Sequence, residues 1–224
     1  MKMPKELEQP LILLMLCISA LLAITLAINI RAYHSVKAQA AAYQSLYLTT
    51  LKISEDLQSR TGQLQANAED LDHALKASEQ RAQILTLAQR ILKNSAKRCN
   101  ITPDQAYNLA TIFTEIGAKE GVPGELLAAV GERESCYRQS ARGAAGEIGT
   151  MQVMPQTALL YGFNPRVLKT TYGNISVAAH ILSQELAKTT LSRALLIYNQ
   201  GHSTDTGSTY NTGVLVMYKK LGGK

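Results

Sequence analysis

Three hydrophobic patterns follow one another along this 224-residue chain, and each predicts a different kind of helix. From Leu11 to Ile30 nearly every residue is apolar, interrupted only by the uncharged Ser19, Thr25 and Asn29. Twenty helical residues span about 30 Å, the thickness of a bilayer's hydrocarbon core. From 38 to 93 the pattern changes to a seven-residue recurrence: Leu57, Leu64, Leu71, Leu85 and Leu92, with Ser78 in the gap. Proline is absent there, Gly62 is the lone glycine, and Ala, Gln, Leu, Lys and Glu dominate, all good helix formers. The companion seam positions hold Ser54, Thr61, Ala68, Leu75, Ala82 and Gln89. So small and polar a seam predicts a weak coiled coil or a single helix packed on other proteins, and the pattern leaves both open. About 56 residues of helix would reach roughly 80 Å.

Beyond 94 the spacing shortens to that of amphipathic helices in a compact body. Thr102-Pro103-Asp104 reads as a helix start, with a capping hydroxyl and proline in the first turn. That helix should run to about Lys119, with Leu109, Ile112, Phe113 and Ile116 inward, and end at Gly121. Pro123 opens a second helix whose stripe is Leu126, Leu127 and Val130. Further helical runs are expected at about 155–161, 175–188, 191–199 and 210–220, with a polar loop from Gly201 to Thr209. A small hairpin near 145–153 is the one β element the pattern admits.

The second helix carries the chemistry. Glu134 lies four residues after Val130, on the apolar stripe, whereas Glu132 is expected to face solvent. Burying an unpaired carboxylate is costly, so an inward Glu needs a reason. A loop rich in glycine follows, with Gly143, Gly146 and Gly149, and then an apolar run containing Gln152 and Met154. Glycine lets backbone approach a ligand, and desolvation lifts a carboxyl group toward neutrality. Glu134 is therefore a candidate general acid; the alternative is a helix-end Glu paired with Arg138 or Arg142.

These residues resemble the lysozyme-like soluble lytic transglycosylase domain. Glu134-Ser135 matches its first motif. Gly149-Thr150-Met151-Gln152-Val153-Met154-Pro155 with Thr157-Ala158 matches the second, and Ile197-Tyr198-Asn199-Gln200-Gly201 the third. A late Tyr four before Val is met by Tyr210 and Val214. The resemblance covers roughly 95 to 224 and implies a mainly α, lysozyme-like helical catalytic domain without cofactor. It also implies a single acid/base, Glu134, with Ser135, Gln152, Met154, Tyr198, Asn199 and Tyr210 as substrate-binding positions. Lytic transglycosylases cleave between N-acetylmuramic acid and N-acetylglucosamine by making a 1,6-anhydro ring, so no second carboxylate is needed to hold water. Glu147 is read as a loop residue. Thr150 departs from the family's usual Leu, which leaves its effect on a subsite open. Hydrolysis by a goose-type muramidase, or an assembly role with vestigial activity, are the competing readings.

Charge and cysteine usage refine this. The net charge is +6, with 13 basic and 9 acidic side chains scattered through 94–224. No basic stripe suggests nucleic acid as a specific ligand, and peptidoglycan strands are the expected partner. Cys17, Cys99 and Cys136 are too dispersed for a metal site. Outside the inner membrane Cys99 and Cys136 could form a disulfide, with separate thiols as the alternative. The apolar run is longer than a signal peptide's 7–15 residues, and its start is nearly neutral. It is thus expected to remain as an anchor, although Ala38-Gln39-Ala40 keeps cleavage open. The expected layout is a cytoplasmic tail at 1–10, a transmembrane helix at 11–30, a helical stalk at 31–93 and the catalytic domain at 94–224. Flanking charge does not orient the anchor. A wall-cleaving activity would, placing the N-terminus in the cytoplasm and the domain in the periplasm of a bacterial inner membrane. The stalk would then serve self-association or a secretion, conjugation or phage injection machine, the last arriving in the virion.

Overall fold

The computed structural model describes residues 5–200 and 209–223. Residues 201–208, with Gly201 of the third motif and His202 of the expected polar loop, lie outside the described residues. The chain divides into two compact units, 1–72 and 73–224. Helix α1 (Lys5–Cys99) begins in the first and ends in the second.

In the first unit the run from Leu11 to Ile30 is helical, and its apolar side chains are exposed. It is long and apolar enough to cross a membrane. Its polar interruptions are partly self-contained. The Ser19 hydroxyl donates to the Leu16 carbonyl at 2.9 Å, and Thr25 donates to those of Leu21 and Leu22 at 3.0 and 2.9 Å. Internal pairing of this kind suits a helix in lipid, where no water is available. The seam residues Leu57, Leu64 and Leu71 are exposed as well.

The regular elements described in the second unit are helices. They comprise the end of α1, α2 (Pro103–Glu120), α3 (Gly124–Ser135), α4 (Pro155–Leu160), a 3-10 turn (Pro165–Lys169), α5 (Thr171–Leu186), α6 (Leu191–Gln200) and α7 (Thr209–Lys220). No strand occurs among the described residues. The expected hairpin is reduced to isolated bridges, Arg142 with Ile148 and Ile148 with Val153.

Two boundaries differ from the sequence expectation. Helix α1 does not end near 93; it continues to Cys99 and breaks at Asn100, whose φ is +52°. Its last turns are also not stalk. Ile84, Leu87, Ala88 and Ile91 are buried in the core, while the seam residue Leu85 is exposed. The i, i+3, i+4, i+7 spacing of these four is a core stripe in its own right, one residue out of step with the leucine recurrence. Polar contacts fix the segment: Arg90 Nη1 donates to the Leu221 carbonyl at 2.8 Å, just past the end of α7. A cation near that terminus also suits the helix dipole.

Local signals set the next two helices. The Thr102 hydroxyl accepts from the Gln105 N–H at 3.3 Å and the Gln105 side chain accepts from the Thr102 N–H at 3.0 Å, forming a capping box. Gly121 closes α2 in the left-handed region, φ +70°. Helix α3 is buried almost all round, from Leu126 through Glu132. It packs against α2 and α7. A helix enclosed in this way holds its terminal residues in fixed positions. The Cys99–Cys136 disulfide is formed and joins the end of α1 to the cap of α3. It spans 37 residues of sequence, and closing a loop of that size contributes about 3–4 kcal/mol in the chain-entropy picture.

Candidate active site

Glu134 stands in the last turn of α3, half-buried at the wall of a cavity of about 450 Å³. Gln152 and Met154 from the glycine-rich loop line the same cavity, as do Tyr198 and Asn199 from α6. Five of the residues singled out from sequence thus meet in one cleft. They come from two helices and a loop, and separate contacts position Glu134, Gln152 and Tyr198.

The loop is held from behind. Asn174 of α5 is fully buried; its Oδ1 accepts from the Met151 N–H at 2.7 Å and its Nδ2 donates to the Ile148 carbonyl at 2.8 Å. Gly149 lies against it with φ +82°, and a Cβ there would come within 2.8 Å of the Asn174 amide. Only glycine fits both demands. Gln152 adopts φ +48°, a left-handed conformation that costs a non-glycine residue about 1 kcal/mol. Its side chain donates to the Gly149 carbonyl at 2.8 Å, which holds the amide at the cleft wall. Tyr198 spans from α6 to the loop, its hydroxyl donating to the Met151 carbonyl at 2.7 Å.

Tyr210 of α7 is buried and donates its hydroxyl to Glu134 Oε1 at 2.6 Å. Burial, above all, raises the Glu134 pKa from 4.5 to about 7. The Tyr210 hydrogen bond opposes that rise, Glu147 adds to it, and Arg133 lowers it slightly. A carboxyl group poised near neutral pH is equipped to give and retake a proton. Tyr210 itself is pushed well above the usual phenol range by burial and then by the Glu134 charge, so it stays a neutral donor.

The alternative pairings of Glu134 are not formed. Arg138 turns its guanidinium to the Ser135 carbonyl, and Arg142 to the carbonyls of Gln139 and Ala141. Two placements correct the sequence reading. Glu132 does not face solvent; it is 3% exposed and paired with Arg98, because α1 packs where a free surface was expected. Glu147 is not merely a loop residue, since it lines the cleft with Glu134. Alternation along a helix could not locate a side chain on an irregular loop.

Ser135 and Thr150 are both buried behind the cleft. The Ser135 hydroxyl donates to the Thr150 carbonyl at 2.8 Å and accepts from the Arg138 N–H at 2.9 Å. It ties the end of α3 to the loop. The Thr150 hydroxyl donates to Gln139 Oε1 at 3.2 Å, and Gln139 in turn donates to the Leu168 carbonyl at 2.8 Å. The residue that departs from the family pattern therefore sits in a satisfied polar network. His180 also has a structural setting, with Nδ1 3.0 Å from Glu120 Oε2 and its ring against Tyr161 and Phe163. Asn174, Gln139 and Glu147 were missed from sequence.

Residues 111–214 match the family model of the Transglycosylase SLT domain, whose members are lytic transglycosylases acting on peptidoglycan. The match starts inside α2 and stops inside α7, so it takes in Glu134, the glycine-rich loop, Tyr198 and Tyr210. With its helical build and a half-buried carboxyl group at the cleft wall, the C-terminal unit carries a lysozyme-like transglycosylase SLT domain over residues 111–214.

Proposed function

We propose that this protein is a membrane-anchored lytic transglycosylase that cleaves the bond between N-acetylmuramic acid and N-acetylglucosamine in peptidoglycan. The observation that carries the reading is the Glu134 carboxyl group, held at the cleft wall by the Tyr210 hydroxyl and with its pKa raised by burial to about 7.

In this mechanism a glycan strand lies in the cleft, against Met154, Gln152, Tyr198 and Asn199. Protonated Glu134 gives its proton to the glycosidic oxygen as the bond to the muramoyl C1 breaks. The resulting carboxylate takes the proton of the muramoyl C6 hydroxyl, whose oxygen bonds to C1. One C–O bond is broken and one formed, the proton moves between oxygens through Glu134, and no water is consumed. An intramolecular hydroxyl acts at high effective concentration, so a single carboxyl group suffices for both transfers. The Tyr210 hydrogen bond favours the carboxylate of the second step, while burial favours the acid of the first. Ser135 supports the site indirectly, by holding the loop to α3.

On this reading residues 11–30 span the inner membrane, the N-terminus is cytoplasmic and the catalytic unit periplasmic, where the Cys99–Cys136 disulfide is stable. The anchor confines cleavage to the place where an envelope-spanning machine is built, and the exposed leucine seam of 57–71 offers that machine a helix to bind. Digesting purified peptidoglycan with the full-length protein in detergent tests the reaction. Wild type should release muropeptides one water lighter than hydrolytic ends, and Glu134→Gln should release none. Hydrolytic ends would establish a muramidase instead, and an active Glu134→Gln variant would end the assignment.

A further inference from the structure

Among the described residues the cleft holds two carboxyl groups, and the mechanism above uses one. Glu147 arrives from the glycine-rich loop and lines the same cavity as Glu134. Its position is built rather than incidental. The Glu147 Oε2 accepts from the Ala145 N–H at 3.1 Å, and the Glu147 carbonyl accepts from the Gly143 N–H at 3.0 Å, which closes the loop on itself. The carboxyl group lies over Gly143. A Cβ at 143 would overlap it, with Glu147 Cδ 2.7 Å away and the Gln152 Oε1 3.0 Å away. The absence of a side chain at 143 is what lets Glu147 lie beside Gln152 at the cleft wall.

Resting on the proposed transglycosylase reaction, we infer that Glu147 is a positioning residue that holds a fixed negative charge in the cleft. That charge opposes the positive charge which builds on the sugar ring as the glycosidic bond breaks. Glycosidic cleavage passes through an oxocarbenium-like state, and a charge aimed at it in a partly dry cleft acts more strongly than in water. The same charge disfavours ionisation of Glu134 and so keeps the acid loaded. Among the described residues, the groups facing Glu134 are Tyr210 on α7, Tyr198 on α6, Arg133 on α3 and Glu147 on the loop. Among these four Glu147 is the one carboxyl group.

Full-length enzyme in detergent, assayed on purified peptidoglycan from pH 5 to 9, tests this. Glu147→Gln keeps an oxygen to accept from the Ala145 N–H, so the loop retains its bond while the charge is removed. The expected result is a kcat about tenfold lower with KM within about twofold of wild type. The alkaline limb of the profile should also move to lower pH by about half to one unit. Gly143→Ala, which displaces the carboxyl group without removing it, should move the limb the same way by less. Wild-type kcat and an unmoved limb in Glu147→Gln would overturn the inference, as would a loss confined to KM. Those results leave the transglycosylase reading intact if Glu134→Gln is inactive; activity in Glu134→Gln would overturn both.

Discussion

Replacing Glu134 by Gln should make the folded protein more stable, and only at neutral and alkaline pH. The folded carboxyl group titrates near 7, against 4.5 as its ordinary value. Between those values the native state binds a proton that the unfolded chain has released. The contribution of this group to stability therefore falls as pH rises from about 4.5 to 7, and is constant on either side of that window. The gap of 2.5 pH units is equivalent to about 3.4 kcal/mol at about 1.36 kcal/mol per unit. Because the cleft is open to water, which screens the group, about 2 kcal/mol is the realistic figure. Glutamine carries no such cost, and its oxygen still accepts from the Tyr210 hydroxyl. For a folded unit of about 150 residues each kcal/mol moves the melting temperature by about 2–4 °C. Thermal melts of the full-length protein in detergent should show Glu134→Gln melting about 4–8 °C above wild type at pH 8 and level with it at pH 4. A difference that is the same at both pH values, or that is largest at pH 4, would refute the buried-carboxyl account of the site.

Tyr210→Phe removes the hydrogen bond that holds Glu134 toward its charged form, so the alkaline limb of activity should move to higher pH while kcat falls about tenfold. Thr150→Leu, the change toward the family's usual residue, should destabilise by about 1–3 kcal/mol in chemical denaturation. It adds volume at a fully buried site and removes the hydroxyl that donates to Gln139. A fragment beginning at 95 loses Ile84, Leu87, Ala88 and Ile91 from the core, worth about 6 kcal/mol, whereas one beginning at 73 keeps them. Circular dichroism melts should show a cooperative transition for the longer fragment and a much weaker or absent one for the shorter.

The helices were legible because their causes are local. Thr102 and Gln105 cap α2 across three residues, Gly121 ends it, and Leu127, Val130 and Glu134 share a stripe through the 3.6-residue turn. The apolar run at 11–30 needs nothing beyond its own composition. For the same reason Glu134 could be singled out, since its position on the stripe follows from helix geometry alone.

Other features depended on packing. Helical periodicity alone turns Glu132 toward solvent, and Arg98, 34 residues earlier, covers it. Tyr210 reaches Glu134 across 76 residues, and the face of α1 that enters the core is offset from its leucine recurrence. Glu147 lies on an irregular loop whose path is set by Asn174, on another helix. Helical periodicity fixes where a side chain points relative to its own axis. Which partner it meets, and whether that meeting excludes water, depends on how separate elements close against each other. The raised pKa of Glu134 is a product of that closure, and so is the cleft in which it acts.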